Sequence, residues 1–406
     1  MNNRYKRLFL GDIANISSGG TPSRSNPAYW NGNIPWVKTA QIQNCIINEE
    51  DVEEWITEEG LKKSSAKMIS AGTILVAMYG QGKTRGQVSV LNCNASINQA
   101  CAAIELKDGT CKDFVYHSLL GNYESIRNMS NTGSQDNLSA GLIKGIPISL
   151  PPLPEQKAIA DLLSTWDEAI EKTERLIQAK EESFKRLIND LIHKGQSNHT
   201  WKGFSLSDLC IPVSRKNNEN NTNVLTSSAH NGLISQLEYY NKSVSAENVT
   251  GYYLLKNGEF AYNRSSAKGY PFGATKRLDR YEKGVLSTLY LCFALKPDAP
   301  CESDFFLHLF DSGTVNRELR AVCQEGARSH GLLNITKSDF FEIKIFLPSQ
   351  EQQKKIQSVL NIVRHEIDLL KQLAEKYINQ KRGLIQKMLT GIWRIKPETI
   401  NQYMDV

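Results

Sequence analysis

The sequence predicts an α+β protein in which two mixed α/β domains are separated by two long antiparallel coiled-coil helices, with a pseudo-twofold internal repeat. Three observations support this fold class. The stretch from Leu150 to Gly195 recurs from Leu347 to Gly391 at a fixed shift of 197 residues. Both copies carry apolar residues at heptad spacing. A long block rich in short strand patterns precedes each copy. A self-match of this length indicates an internal duplication.

Each repeated stretch is predicted to be a helix. Acid and amide residues follow the prolines at its start, as in Glu155-Gln156, and suit the positive end of a helix. Roughly 37 residues without proline follow, or about 55 Å of helix. The main apolar rows are Leu163, Ile170, Ile177, Phe184 and Leu191 in the first copy, and Leu360, Ile367, Ala374, Lys381 and Met388 in the second. We expect the helices to pair with each other, antiparallel because one chain supplies both.

The repeat also predicts the domain boundaries. They are 1–149 for the first variable domain, 150–195 for the first long helix, 196–346 for the second variable domain, 347–392 for the second long helix and 393–406 for a C-terminal tail. Strands are predicted at 72–78, 87–91, 100–106, 258–262 and 287–295, and a last strand at 146–150 and 343–347. One further helix is predicted in each domain, at 112–127 and 303–323. Each domain should therefore be mixed α/β with several antiparallel strands.

Composition narrows the class of protein. The chain of 406 residues has 48 Lys and Arg against 43 Asp and Glu, and its net charge of +5 permits a nucleic-acid partner without requiring one. The eight cysteines form no C-x-x-C pair, which indicates reduced thiols rather than disulfides or a zinc site. We expect neither a signal peptide nor a membrane span, and therefore a cytoplasmic protein without membrane contact.

A glycine-rich loop from Tyr79 to Gly86 lies between two predicted strands. It does not match a phosphate-binding P-loop, because Ala77 stands where that motif has glycine and because a strand follows it. Its polar side chains suit a DNA groove, where Arg and Lys bind guanine and Gln binds adenine. The candidate DNA-binding residues are Tyr79, Gln81, Lys83 and Arg85. The alternative is a plain surface hairpin.

The second variable domain has a comparable loop at the corresponding place. Basic, amide and aromatic residues alternate there, and the candidate DNA-binding residues are Arg264, Ser265, Lys268 and Lys276. Polar loops before the two last strands add three weaker candidates, Ser134, Gln135 and Arg328. These loops either reach bases and phosphates or only turn the chain.

Motifs for catalysis are missing from the sequence. The segment Asn26-Pro27-Ala28-Tyr29 lacks the second proline of the N-P-P-Y motif of adenine methyltransferases, and no glycine-rich loop for S-adenosylmethionine accompanies it. We find no paired-carboxylate nuclease core, no Ser/His/Asp set and no metal-ligand spacing. The chain is therefore predicted not to be an enzyme and to bind no cofactor of its own.

This organisation resembles the specificity subunit of type I restriction-modification systems. The resemblance covers essentially the whole chain and rests on the two variable domains, each followed by a long helix. The first helix start, Pro154-Glu155-Gln156 with Ile159 and Leu163, is similar to that family, and so are the stretches 19–22, 29–32, 34–37 and 72–80. The second helix departs from it, with Ser349-Gln350 where the family usually has Pro-Leu.

The resemblance implies a non-catalytic, prokaryotic DNA-reading subunit. The variable domains would be target-recognition domains that each read one half of a bipartite double-stranded DNA site. The paired helices would set the spacer and dock two methyltransferase subunits, and two restriction/translocase subunits would join them. S-adenosylmethionine, ATP and Mg²⁺ would then belong to the partner subunits. Two alternatives stay open, a stand-alone DNA methyltransferase and a protein-binding coiled-coil adaptor.

Overall fold

The computed structural model describes residues 5–80, 82–129, 137–197, 200–228, 232–241, 248–266, 269–325 and 333–404. The chain folds as two compact units. Unit 1 is Met1–Glu174 with Leu373–Val406, and unit 2 is Arg175–Gln372. Each unit thus combines one strand-rich region with parts of both long helices. The domain boundaries given above separate helices from strand-rich regions instead, and they remain predictions.

The first half of the chain begins with a strand-rich region and ends with a long helix. The strands are β1 Lys6–Phe9, β2 Ala14–Ser18, β3 Trp30–Val37, β4 Ile46–Ile47, β5 Trp55–Ile56, β6 Met68–Ile69, β7 Ile74–Ala77, β8 Val88–Leu91, β9 Ala95–Ile97, β10 Cys101–Leu106 and β11 Pro147–Leu150. The helices are α1 Leu10–Ile13, α2 Glu58–Lys62, α3 Lys112–Gly121, α4 Tyr123–Asn128, α5 Ala140–Lys144, α6 Leu153–Ile188 and α7 Lys194–Ser197.

The main sheet of unit 1 has the strand order β2-β10-β7-β8-β4. All four residues of β7 are buried, although its side chains alternate between the two faces of the sheet. Ile74 and Val76 join a core that also contains residues of α3 and α6, whereas Leu75 and Ala77 join a second core on the other face. Both faces are therefore covered, which explains why this strand is a continuous apolar run.

The second half repeats the succession of strands followed by a long helix. The strands are β12 Lys202–Ser205, β13 Cys210–Pro212, β14 Leu225–Ser228, β15 Gly232–Ser235, β16 Tyr253–Lys256, β17 Phe260–Asn263, β18 Ala274–Arg277, β19 Lys283–Leu286, β20 Leu291–Leu295, β21 Gln324–Glu325, β22 Leu333–Asn334 and β23 Lys344–Leu347. The helices are α8 Leu206–Leu209, α9 Gln236–Tyr240, α10 Ser303–Asp311, α11 Asn316–Val322, α12 Lys337–Glu342, α13 Gln350–Leu389 and α14 Pro397–Asn401.

The two halves share the strand order of four strands in their main sheets. The order β2-β10-β7-β8 of unit 1 matches β13-β20-β17-β18 of unit 2. The strand that leads into each long helix pairs antiparallel with the first strand of its own half, β11 with β1 and β23 with β12. The predicted α+β class and internal repeat are therefore confirmed. The prediction of a single helix at 112–127 and at 303–323 is wrong, because each segment forms two helices. The first is interrupted near Asn122, and the second at Gly313, whose φ is +77°.

The long helices α6 and α13 have 36 and 40 residues, and they contribute to both units. In unit 1 the beginning of α6 lies beside the end of α13, and Trp166 packs edge-on against Tyr377. In unit 2 the end of α6 lies beside the beginning of α13, where Lys180 pairs with Glu366. The helices are antiparallel, as predicted. The whole predicted row from Leu360 to Met388 is buried. It includes Lys381, which pairs with Asp167.

Candidate nucleic-acid interface

The glycine-rich loop joins β7 to β8, which pair antiparallel. A strand does follow the loop, so the geometry of a P-loop is not present. The φ angles of Gly80, Gly82 and Gly86 are 142°, 64° and 85°, which L-residues rarely adopt and which explain the three glycines. Tyr79 is 42 % exposed, and Lys83 is also exposed.

Helix α4 supports this loop from one side. The Tyr123 hydroxyl donates to the Lys83 carbonyl oxygen at 2.6 Å and accepts from Arg127 at 2.9 Å. Arg85 is half-buried. Gln81, Ser134 and Gln135 lie outside the described residues. The roles of all these residues in DNA binding remain predictions.

The corresponding loop of unit 2 follows β17. Arg264 donates from Nε to the Leu289 carbonyl at 2.8 Å and from Nη1 to the Ile335 carbonyl at 3.3 Å. The half-buried Ser265 donates its backbone N–H to the Asn263 side chain. The Arg264 guanidinium thus connects three loops. Lys268 and Arg328 lie outside the described residues.

Lys276 lies inside unit 2, where its side chain is only 7 % exposed. Its ammonium donates to Asp311 and to the Tyr270 hydroxyl, both at 2.9 Å, and Arg364 binds the other Asp311 oxygen at 2.7 Å. Burial alone would raise the pKa of Asp311, but Lys276 and Arg364 together hold that pKa below its usual value. These contacts favour a structural part for Lys276. Sequence reasoning missed the cluster because β18, α10 and α13 each supply one charged residue.

Both long helices are attached to their strand-rich regions by the same amide contact. Gln156 is buried, accepts from the Cys111 backbone N–H at 2.9 Å and donates to the Pro151 carbonyl at 2.9 Å. Gln353, 197 residues later, accepts from the Glu302 N–H at 2.8 Å and donates to the Pro348 carbonyl at 3.0 Å. The repeated glutamine thus joins each helix start to the loop before α3 or α10. The sequence showed the repeat but not this contact.

Glu155, beside Gln156, distinguishes the two helix starts. Its carboxylate is 1 % exposed and receives Nε and Nη2 of Arg394 at 2.6 Å each, and the Tyr5 hydroxyl donates to it at 3.2 Å. The matching residue of α13 is Gln352, which is exposed. The predicted tail beyond residue 392 therefore contacts the start of α6 through an ion pair whose carboxylate is buried.

Each half also buries a histidine against its long helix. Nε2 of His117 lies 3.5 Å from Ser164, and Nε2 of His308 lies 2.7 Å from Asn361, the residue equivalent to Ser164. Burial lowers the pKa of each ring to about 4, helped by Lys381 near His117 and by Arg364 near His308. Both rings are therefore neutral at neutral pH.

The sequence matches a known family in both halves. The Type I restriction modification DNA specificity domain matches residues 2–181 and again residues 198–377. The chain belongs to this family. The family is described by DNA specificity and not by a reaction, in agreement with the prediction that the chain is not an enzyme and against the methyltransferase alternative.

Relatives and a solved structure agree with the family assignment. The MjaIX specificity subunit of Methanocaldococcus jannaschii is 29 % identical over 41 % of this chain, but the match covers only 38 % of that relative. The MjaVIII specificity subunit of the same organism is 22 % identical over 95 % of this chain and 92 % of its own length. The crystal structure of a type I S subunit from M. genitalium shares the fold, with a TM-score of 0.58 and 15 % identity, covering 96 % of this chain and 97 % of that one.

Among the described residues, no helix is long and apolar enough to cross a membrane.

The Gly19-Gly20 pair, part of the family resemblance, lies against β9, where a Cβ on Gly19 would come within 1.9 Å of the Ile97 carbonyl oxygen. The Gly20 carbonyl accepts the buried Trp36 indole N–H at 3.0 Å. This glycine pair is therefore required for close packing.

Proposed function

We propose that this chain is the DNA-reading subunit of a type I restriction-modification complex. Each target-recognition domain, within the predicted boundaries 1–149 and 196–346, reads one half of a bipartite double-stranded DNA site. The observation that carries this proposal is a duplicated fold with dissimilar loops. The strand order and the glutamine contacts repeat, whereas the loops after β7 and β17 differ. Two similar scaffolds with different loops suit two different half-sites.

Base recognition in this proposal comes from the loops after β7 and β17. In the first, Lys83 and Arg85 donate hydrogen bonds to guanine and Gln81 contacts adenine, while the glycines allow the backbone to approach. In the second, Ser265 and Lys268 contact DNA directly, and Arg264 holds its loop in shape. Ser134, Gln135 and Arg328 extend these surfaces. The contacts to phosphate position the chain, and the contacts to base edges specify the sequence.

The long helices set the distance between the half-sites and dock the partners. At 1.5 Å per residue, α6 is about 54 Å long, which corresponds to about 16 base pairs at 3.4 Å each. Two methyltransferase subunits bind the helix pair and bring S-adenosylmethionine, and two restriction subunits bring ATP and Mg²⁺. A pseudo-twofold chain suits two identical partners on an asymmetric DNA site.

The deciding experiment maps modified adenines across the source genome by sequencing. Three strains are compared, with the gene intact, with the gene deleted and with Arg85→Ala in its place. Deletion should abolish modification at one bipartite motif. The variant should lose about 1–3 kcal/mol of discrimination, which relaxes one base of the first half-site. The second half-site of the same motif is the internal control. An unchanged motif in Arg85→Ala refutes the loop assignment, and an unchanged methylome after deletion refutes the proposed function.

The spacer is tested by changing both long helices equally. One heptad inserted after Glu174 and another after Gln372 lengthen each helix by about 10.5 Å and preserve the heptad phase. The modified motif should then have a spacer longer by about three base pairs, with both half-sites unchanged. A motif with the original spacer would show that the helices do not set the distance. Partner binding without any DNA dependence would favour the adaptor alternative.

A further inference from the structure

Unit 1 contains a cleft between α6, α3 and the end of β8. Its volume is about 900 Å³. One lysine, Lys112, lines the cleft. Five carboxylates also line it, those of Asp113, Asp167, Glu168, Glu171 and Glu174. Lys381 pairs with Asp167 and Lys172 with Glu168 from outside the lining, and Lys112 pairs with Asp113, so that five carboxylates stand against three ammonium groups. The cleft is therefore a region of negative potential.

A buried histidine at the same cleft has an unsatisfied ring nitrogen. His117 is 2 % exposed, and its Nδ1 has no hydrogen-bond partner among the described residues. That atom lies 3.9 Å from Oδ2 of Asp167, too far for a hydrogen bond. The ring is neutral, and in the tautomer whose proton is on Nε2, which faces the Ser164 hydroxyl at 3.5 Å, the Nδ1 lone pair is an acceptor. Two acceptors at this separation are both satisfied by one donor placed between them.

The corresponding cleft of unit 2 has a different balance of charge in its lining. Its volume is about 530 Å³, and five cationic and four anionic side chains line it. Under the 197-residue shift, Asp167 corresponds to Arg364 and Glu174 to Lys371. Arg364 pairs there with Asp311 and Lys371 with Glu181. These two positions therefore have opposite charge in the two halves, whereas Glu171 and its counterpart Asp368 are both acidic. Of the two clefts described here, that of unit 1 has the larger excess of carboxylates.

We propose that the unit 1 cleft binds a basic segment of a partner protein, with one Arg or Lys side chain donating to both His117 Nδ1 and Asp167. Apolar side chains of Ile46, Leu120 and Ile170 also line the cleft and suit the aliphatic stem of that residue and its apolar neighbours. The mixed lining favours an amphipathic peptide over a small polyamine. The inference rests on the proposed function in one point only: the partner is a methyltransferase subunit. The two docking positions of identical partners are then unequal, and one partner is held more tightly.

The test is calorimetric titration of the full chain with synthetic peptides at physiological salt. The probes are the basic peptide LRKLLRKLLR, the acidic peptide LEELLEELLE and spermidine. The basic peptide should bind, and the acidic peptide should not. Glu174→Lys introduces the residue type of Lys371, its counterpart in unit 2, and should raise the dissociation constant of the basic peptide at least tenfold. Glu168→Gln should raise it less. Glu375→Lys, an exposed change on α13 outside the cleft, should leave it within twofold.

A second measurement locates the bound cation. In chain labelled with ¹⁵N-histidine, the basic peptide should shift the Nδ1 signal of His117 and leave that of His308 unchanged. Equal binding of both peptides, equal loss in Glu375→Lys, or spermidine binding as tight as the peptide would overturn the proposal. The methylation motif of Glu174→Lys is mapped in parallel. If Glu174→Lys loses peptide binding but keeps the methylation motif, only the role of the cleft is tested. If the unaltered chain gives no methylation motif, the proposed function is wrong.

Discussion

The buried ion pair of unit 1 makes a quantitative prediction. Arg394→Ala leaves the Glu155 carboxylate, 1 % exposed, without its two charge-assisted hydrogen bonds. Removing one partner of a buried pair costs about 3–5 kcal/mol. Because Arg394 itself is 38 % exposed and Tyr5 still donates to the carboxylate, we expect the lower end, about 3 kcal/mol. For a unit of this size that corresponds to a melting temperature lower by roughly 6–12 °C.

Urea unfolding followed by tryptophan emission measures this change. Five of the six tryptophans belong to unit 1: Trp30, Trp36, Trp55, Trp166 and Trp393. A double variant provides the decisive comparison. Glu155→Gln with Arg394→Ala places a neutral amide in the site and should recover most of the lost free energy of unfolding. Lys172→Ala removes an exposed pair with Glu168 and should cost less than about 0.5 kcal/mol. A loss below 0.5 kcal/mol in Arg394→Ala, or no recovery in the double variant, refutes the reasoning.

Two further predictions concern features that both units share. Gln156→Ala and Gln353→Ala should each cost about 1–3 kcal/mol in urea unfolding, because each removes a buried amide and leaves a partly buried backbone N–H without its hydrogen bond. The exposed Gln352→Ala is the control, and an equal effect there would contradict the anchoring role. The second prediction is that stability falls between pH 7.5 and pH 5. His117 and His308 have folded pKa values of about 4, below the unfolded value of about 6.5, so the unfolded chain binds protons first and the loss is about 2 kcal/mol per histidine. Replacing both by Asn should flatten the pH profile, and an unaltered slope would be the contrary result.

The repeat and the heptads predicted the architecture because both are local or periodic properties of the sequence. The match of Leu163 with Leu360 and of Ile170 with Ile367 indicated duplicated helices, and the structure confirms both helices and their antiparallel pairing. Short apolar runs such as 72–78 predicted strands correctly, since a buried strand requires apolar residues on both faces. The break at Gly313 was missed, because a glycine within an apolar pattern does not by itself distinguish a kink from a turn.

The sequence by itself therefore determined the two-part α/β plan, the paired helices and the family to which the chain belongs. Only the tertiary structure decided which charged and polar groups meet. Lys276 was a predicted DNA-binding residue, but its side chain is buried against Asp311, which Arg364 of another helix also binds. The Glu155–Arg394 pair joins residues 239 positions apart, and the approach of His117 to Asp167 depends on how α3 packs on α6. Apolar periodicity specifies which face of an element is buried. Hydrogen bonds and ion pairs depend on distances of a few ångströms between elements, which packing alone determines.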